Sequence, residues 1–171
     1  MLTRPKKGEF APNYSDYINK TEGENVADLI ANYSGLLNQF VNDLPEHKAN
    51  YAYAPGKWTV KDVLQHLLDA ERIFTYRALR FARKDSTMLP GFEEDMYAAN
   101  ANAAQRSLQS LKEEFVSVRK ATDLFFASLR DEQLQQKGTA NNYSTTVQAL
   151  AFVVFGHLLH HKQILEERYL Q

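Results

Sequence analysis

Residues 101–129 read ANAAQRSLQSLKEEFVSVRKATDLFFASL. In this stretch Ala101, Ala104, Leu108, Leu111, Phe115, Val118, Thr122, Phe125 and Leu129 recur at steps of three and four without a break. Those steps place all nine side chains on one face of a helix, with Lys, Glu, Gln and Ser on the other. The spacing predicts a helix over 101–129 and a bundle seam along it. A single apolar stripe cannot be buried alone, so the rest of the chain must supply partner helices.

Three further segments show the same periodicity. The first spans 24–42, with Val26, Leu29, Ile30, Tyr33, Leu37, Phe40 and Val41 on one face. Thr21 and Glu24 form a capping-box pattern ahead of it. The second spans 59–84 through Val63, Leu67, Ala70, Phe74 and Phe81; Thr59 is its N-cap and Asp62 adds negative charge to the first turn. Arg77, Arg80, Arg83 and Lys84 crowd its last turns, where cations suit the helix dipole. The fourth begins at Ser144 or Thr145, with Thr145 and Gln148 as a capping box, and runs to 169.

Gly138 and the Asn141-Asn142 pair mark a loop before the fourth helix. Residues 1–20 read as an extended N-terminal arm with little helix. No strand alternation, internal repeat or low-complexity segment is visible. The expected fold is therefore all-α, a four-helix bundle forming one domain over 1–171. The 85–99 connection, with Pro90-Gly91, is long enough to cross the bundle at roughly 3.3 Å per extended residue. Helices two and three can then run parallel.

Composition removes several function classes. Twenty Lys and Arg against 21 Asp and Glu leave a formal net charge of -1, with no footprint for nucleic acid or an anionic membrane. No cysteine is present, which excludes disulfides, thiolate metal sites and cysteine nucleophiles. The longest apolar run, QALAFVVFG at 148–156, falls far short of the roughly 20 residues of a membrane span. The first residues lack the apolar core of a signal peptide. The expectation is a cytoplasmic protein without nucleic-acid or membrane partners.

The histidines carry the chemical signal. His157 and His161 stand four apart on the fourth helix, one turn apart on one face. At about 100° per residue, the stripe of Val147, Leu150, Val154, Leu158 and Leu165 centres roughly 70° from His157 and 30° from His161. His160 falls about 130° away. His161 should therefore face the core and His157 border it. His66 shares a face with Val63, Ala70 and Ile73, and antiparallel packing of helices two and four would bring the three imidazoles to one level. The competing reading is three hydrogen-bonded core histidines without a metal. His47, between Glu46 and Lys48, reads as exposed.

The stretch Pro55-Gly56-Lys57-Trp58-Thr59-Val60-Lys61-Asp62-Val63-Leu64-Gln65-His66-Leu67-Leu68-Asp69-Ala70-Glu71-Arg72 resembles the second-helix signature of the DinB-like superfamily, and within it the YfiT-like metal-dependent hydrolases. Gly156-His157-Leu158-Leu159-His160-His161-Lys162-Gln163-Ile164-Leu165 is similar to that family's closing helix, and Leu89-Pro90-Gly91-Phe92 and Arg119-Lys120-Ala121-Thr122 also fit. The resemblance implies an up-down-down-up bundle, a homodimer, and a nickel or zinc ion on His66, His157 and His161. It also implies a small-molecule substrate, with relatives that are S-transferases or isomerases using bacillithiol or another low-molecular-weight thiol.

Three neutral ligands leave a divalent ion its full charge and at least one open position, where a water or thiol can ionise. The leading expectation is a thiol S-transferase. The alternatives are a hydrolase using metal-bound hydroxide and a non-catalytic, stress-related binding module. Ligand histidines normally donate their other ring N–H to a carboxylate or carbonyl; Asp69, and more weakly His160 and Gln163, are the positions read for that role. Tyr51, Tyr53 and Trp58 either wall the pocket mouth or pack the loop onto the bundle. The basic cluster reads as helix-terminal charge, with anion binding as the alternative. No serine sits in a nucleophile elbow, and Gly56-Lys57 lacks the rest of a phosphate loop.

Overall fold

The computed structural model describes residues 2–171. In chain order its elements are α1 (Ser15–Asn19), α2 (Val26–Asn42), α3 (Val60–Ala82), α4 (Glu94–Asn100), α5 (Leu108–Ala127), α6 (Asp131–Leu134), the strands β1 (Lys137–Ala140) and β2 (Tyr143–Thr146), and α7 (Val147–Arg168). Short 3-10 turns precede α1, α3 and α5.

α2, α3, α5 and α7 form a four-helix bundle, and their cross-contacts give its direction. Tyr33 meets Phe155 and Phe40 meets Lys162, so α2 and α7 are parallel. Gln65 pairs with Arg106, Glu71 with Arg119 and Thr75 with Thr122, so α3 and α5 are parallel as well. The Tyr169 hydroxyl, just past α7, donates to the Trp58 carbonyl just before α3, which makes those two helices antiparallel. The order is up-down-down-up, and the long crossing between α3 and α5 is what allows it.

The helix starts follow local chemistry. Thr59 Oγ1 accepts from the Asp62 amide while the Asp62 carboxylate accepts from the Thr59 amide, closing the expected capping box. α2 is capped by Asn25 and Asp28 instead of Thr21 and Glu24, because the Thr21 hydroxyl donates to the Ile18 carbonyl and closes α1. α5 starts at Leu108 under a Ser107 cap, seven residues later than the periodicity predicts. The 101–107 segment breaks at Asn102, which takes a left-handed conformation with φ of 55°.

Two regions depart from the sequence reading. The N-terminal arm is partly helical: α1 packs on α7, and a Cβ at Gly156 would lie 2.0 Å from the Tyr17 carbonyl oxygen. Glycine there permits the close approach. The loop before α7 is a β-hairpin whose Asn141 and Asn142 have φ of 49° and 66°. Two consecutive positive φ values make the tight turn that matches strand twist. Its four-residue strands, KGTA and YSTT, are too short to show an apolar alternation. The hairpin lies over Phe81 at Gly138, where a Cβ would be 2.1 Å from that ring. β2 carries the chain through Thr146, so Thr146 and not Thr145 caps α7.

α7 is the central element, buried from Val147 to Leu158 on all sides by α1, α2 and α3. Full encirclement explains why its apolar residues are not confined to a single stripe.

Candidate metal centre

His66 from the second turn of α3 and His157 and His161 from the second half of α7 converge between those helices. His66 Nε2 and His157 Nε2 are 3.0 Å apart, and one nitrogen from each of the three rings lies within 4.8 Å of the others. Ring centroids are 4.9 Å apart for His66 with either partner and 4.6 Å for His157 with His161. Two nitrogens each about 2.1 Å from one ion stand roughly 3 Å apart. The spacing therefore suits a shared divalent ion.

Protonation favours the same use. Burial drives the His66 imidazole down to about 4 and His161 down to about 3, and holds His157 far below its ordinary value, with neighbouring imidazoles adding to the shift at the last two. All three are neutral near pH 7 and have lone pairs to offer. His66 and His157 are buried and His161 only half-buried, which for the α7 pair is the reverse of the wheel projection. The wheel treated α7 as a surface helix with one inward side. In fact α1, anchored at Gly156, covers the His157 side.

Tyr17 of α1 packs edge-on against both His157 and His160, with centroids 5.4 and 5.5 Å away. His160 is therefore beside the cluster at the rim, in a shallow concavity shared with Asp16 and Lys20. Gln163 is on the exposed face, where it accepts from Lys20 Nζ at 2.7 Å and donates to Glu167. Asp69 accepts from Gln65 Nε2 at 3.0 Å and lines a wide groove of about 750 Å³ bounded by Phe92, Met96 and Tyr97. His47 is exposed.

Two cavities reach the imidazoles. One, of about 340 Å³, opens on His161 between Trp58, Tyr53, Tyr169 and Asp95. Trp58 lies 4.9 Å from the His66 ring, so it and Tyr53 wall this mouth. Tyr51 packs on Tyr169 instead. The other, of about 290 Å³, opens on His66 and His157 and runs over Ala70 and Phe74 toward Tyr14 and Arg77. Asp95 of α4 lines both, and its charge acts on His66.

The basic cluster divides. Arg77 is buried in the wall of the second cavity. Arg80 pairs with Asp85, and Arg83 and Lys84 are exposed at the helix end. Asp95, Tyr17 and Tyr14 were not assigned to the site from sequence. They stand on short elements whose position is set by tertiary contact.

A sequence model of the DinB superfamily matches residues 34–165. The chain belongs to the DinB superfamily. The match takes in all three histidines. Among solved structures, this DinB-superfamily chain is similar to YfiT from Bacillus subtilis, described as "a probable metal-dependent hydrolase with an unusual four-helix bundle topology". That likeness has a TM-score of 0.68 and 15% identity over 97% of this chain and 91% of YfiT, and shows the shared fold. Among named relatives it is similar to a protein of Oceanobacillus iheyensis called "Putative metal-dependent hydrolase", at 24% identity over 96 residues. That match covers 52% of this chain and 55% of the relative, so the chain spans about half of that protein's length.

Proposed function

We propose that this DinB-superfamily protein is a metal-dependent thiol S-transferase, with one divalent ion on His66, His157 and His161. The observation that carries the reading is the pair of cavities meeting at the three imidazoles from different sides. A transfer between two organic substrates needs two approaches to one centre, whereas hydrolysis needs one approach and water. A divalent ion held by these three neutral ligands would supply Lewis-acid chemistry, bringing the pKa of a thiol or water at the site toward neutral pH.

The protein's own groups do the rest. Burial keeps the three imidazoles unprotonated, and α1 covers His157 against water through Tyr17. Asp95, lining both cavities, is placed to take the proton that the thiol releases on ionising; the thiolate sulfur then forms the sulfur–carbon bond as the leaving group departs with its electron pair. Trp58 and Tyr53 offer an apolar wall to the electrophile. The same reading carries nickel or zinc as the resident ion, a low-molecular-weight thiol as co-substrate, and a homodimer in the cytoplasm.

Hydrolysis is the second reading, favoured by the names given to the two relatives. The deciding experiment incubates zinc- and nickel-loaded protein with a small thiol and an activated halide, and in parallel with activated esters and amides. Metal-dependent thioether formation that falls to background in His161→Ala is expected. Ester or amide cleavage without thioether formation would replace S-transfer by hydrolysis.

A further inference from the structure

The cavity over His66 and His157 has a second polar end that the proposed chemistry does not use. Arg77, one of the basic residues at the end of α3, is only 4% exposed and stands in its wall. A buried guanidinium ordinarily faces a carboxylate, because an unpaired buried charge is costly. Among the described residues Arg77 has none. One nitrogen donates to the Pro90 carbonyl at 2.9 Å, another makes a long contact of 3.4 Å to the Tyr14 hydroxyl, and the Phe92 ring lies 6.0 Å away.

Tyr14 completes the arrangement. Its oxygen accepts from Arg77, so its own hydroxyl hydrogen remains to be donated, and burial raises the phenol above its ordinary value. Glu93, Glu94 and Asp95 also line this cavity; the charges of Asp95 and Glu94 act on His66 and Tyr17, toward the histidine end, and Glu93 makes no ion pair with Arg77. Between the two ends the floor is apolar, made by Ala70 and by Phe74, whose ring touches both His157 and Tyr14.

We infer that Arg77 and Tyr14 form a carboxylate-binding subsite that holds the tail of an elongated substrate whose reacting end lies at His66 and His157. The identity of the reacting end rests on the S-transferase reading; the subsite does not. The Phe74 ring centroid lies 5.9 Å from that of Tyr14 and 5.8 Å from that of His157, so the gap between the two ends is on the order of 10 Å. An eight-carbon chain spans that distance. A substrate with its thiol and carboxylate much closer together could not engage both ends at once.

The test titrates the full chain, metal-free and zinc-loaded, with octanoate, 8-mercaptooctanol and 8-mercaptooctanoate, following heat and Trp58 fluorescence. Tyr14→Phe removes one hydroxyl and is the main variant; Arg77→Lys is the second, with thermal melts to confirm folding. Octanoate should bind the metal-free wild type and bind Tyr14→Phe at least about tenfold more weakly. In the zinc-loaded protein, 8-mercaptooctanoate should bind at least about tenfold more tightly than 8-mercaptooctanol. Octanoate that fails to bind wild type, or binds both variants equally well, overturns the subsite. Equal binding of the mercapto acid and mercapto alcohol also overturns it, while leaving the thiol reading intact. If octanoate binds through Tyr14 and the thiol adds no affinity, the subsite stands and the S-transferase reading fails.

Discussion

Two polar clusters lie inside this bundle, both built on α3 five residues apart, and they are satisfied in opposite ways. Arg119 of α5 is fully buried, donates to Glu71 at 2.7 Å, pairs with Asp123, and stands 4.5 Å over the Phe155 ring. Burial pushes the Glu71 carboxyl up while the guanidinium pulls it down. Opposite charges there meet within the chain, with the buried Arg119 Nε left without a hydrogen-bond partner. At His66, His157 and His161 three groups of one kind converge, each held neutral, with their lone pairs aimed at a common point. His66 Nε2 and His157 Nε2 stand 3.0 Å apart, within hydrogen-bond reach of each other, but His161 adds a third neutral imidazole that no opposite charge in the chain meets. One cluster is a structural joint between α3 and α5; the other is the receptor of the proposed reading.

The largest expected effect comes from breaking the joint. Arg119→Met leaves the Glu71 carboxylate buried without its partner and should lower stability by about 3–5 kcal/mol in urea unfolding. His157→Leu in the metal-free protein should change stability by less than about 1.5 kcal/mol, because an apolar side chain of similar size fits the same space. Equal losses would erase the distinction between the clusters.

Metal loading should act on the other cluster alone. Zinc at a thousandfold excess over its dissociation constant should stabilise the wild type by about 4 kcal/mol, reversibly on chelation. His161→Ala should lose that gain, and thermal unfolding with and without chelator measures it. The smallest effect is one of pH. With His66 at about 4 and His161 at about 3 in the fold, against 6.5 when unfolded, the unfolded chain binds more protons between those values. Metal-free stability should therefore hold above pH 6.5 and have fallen by roughly 3 kcal/mol at pH 5.5, about half of it from each histidine. Denaturant titrations at pH 7, 5.5 and 4.5 check the slope, which should shrink in His66→Phe.

The sequence showed the receptor more clearly than its surroundings. Heptad-like spacing set out the four long helices, and the four-residue step from His157 to His161 put those two imidazoles on one face. The face His66 shares with Val63, Ala70 and Ile73 brought it to the same level, and the resemblance to the DinB family implies the same three residues. What periodicity could not show was α1, the hairpin and α4, because elements of four to seven residues have too few turns to display a period. Those pieces reverse the burial order of His157 and His161 and bring Tyr14, Tyr17 and Asp95 to the site. Arg77 was grouped with its neighbours as helix-terminal charge, since sequence alone does not reveal that only this one turns inward. Gly156 held the available signal: a glycine beside His157 in a buried helix marks a close approach by another segment.

The central claim is that three histidines hold one ion. Elemental mass spectrometry of the purified protein, and of the His66, His157 and His161 alanine variants, tests it most directly. The account predicts close to one nickel, zinc or similar ion per chain in the wild type and a loss in each variant. A wild type that holds no stoichiometric metal after gentle purification, and takes up none when nickel or zinc is added, would contradict it and leave three core histidines.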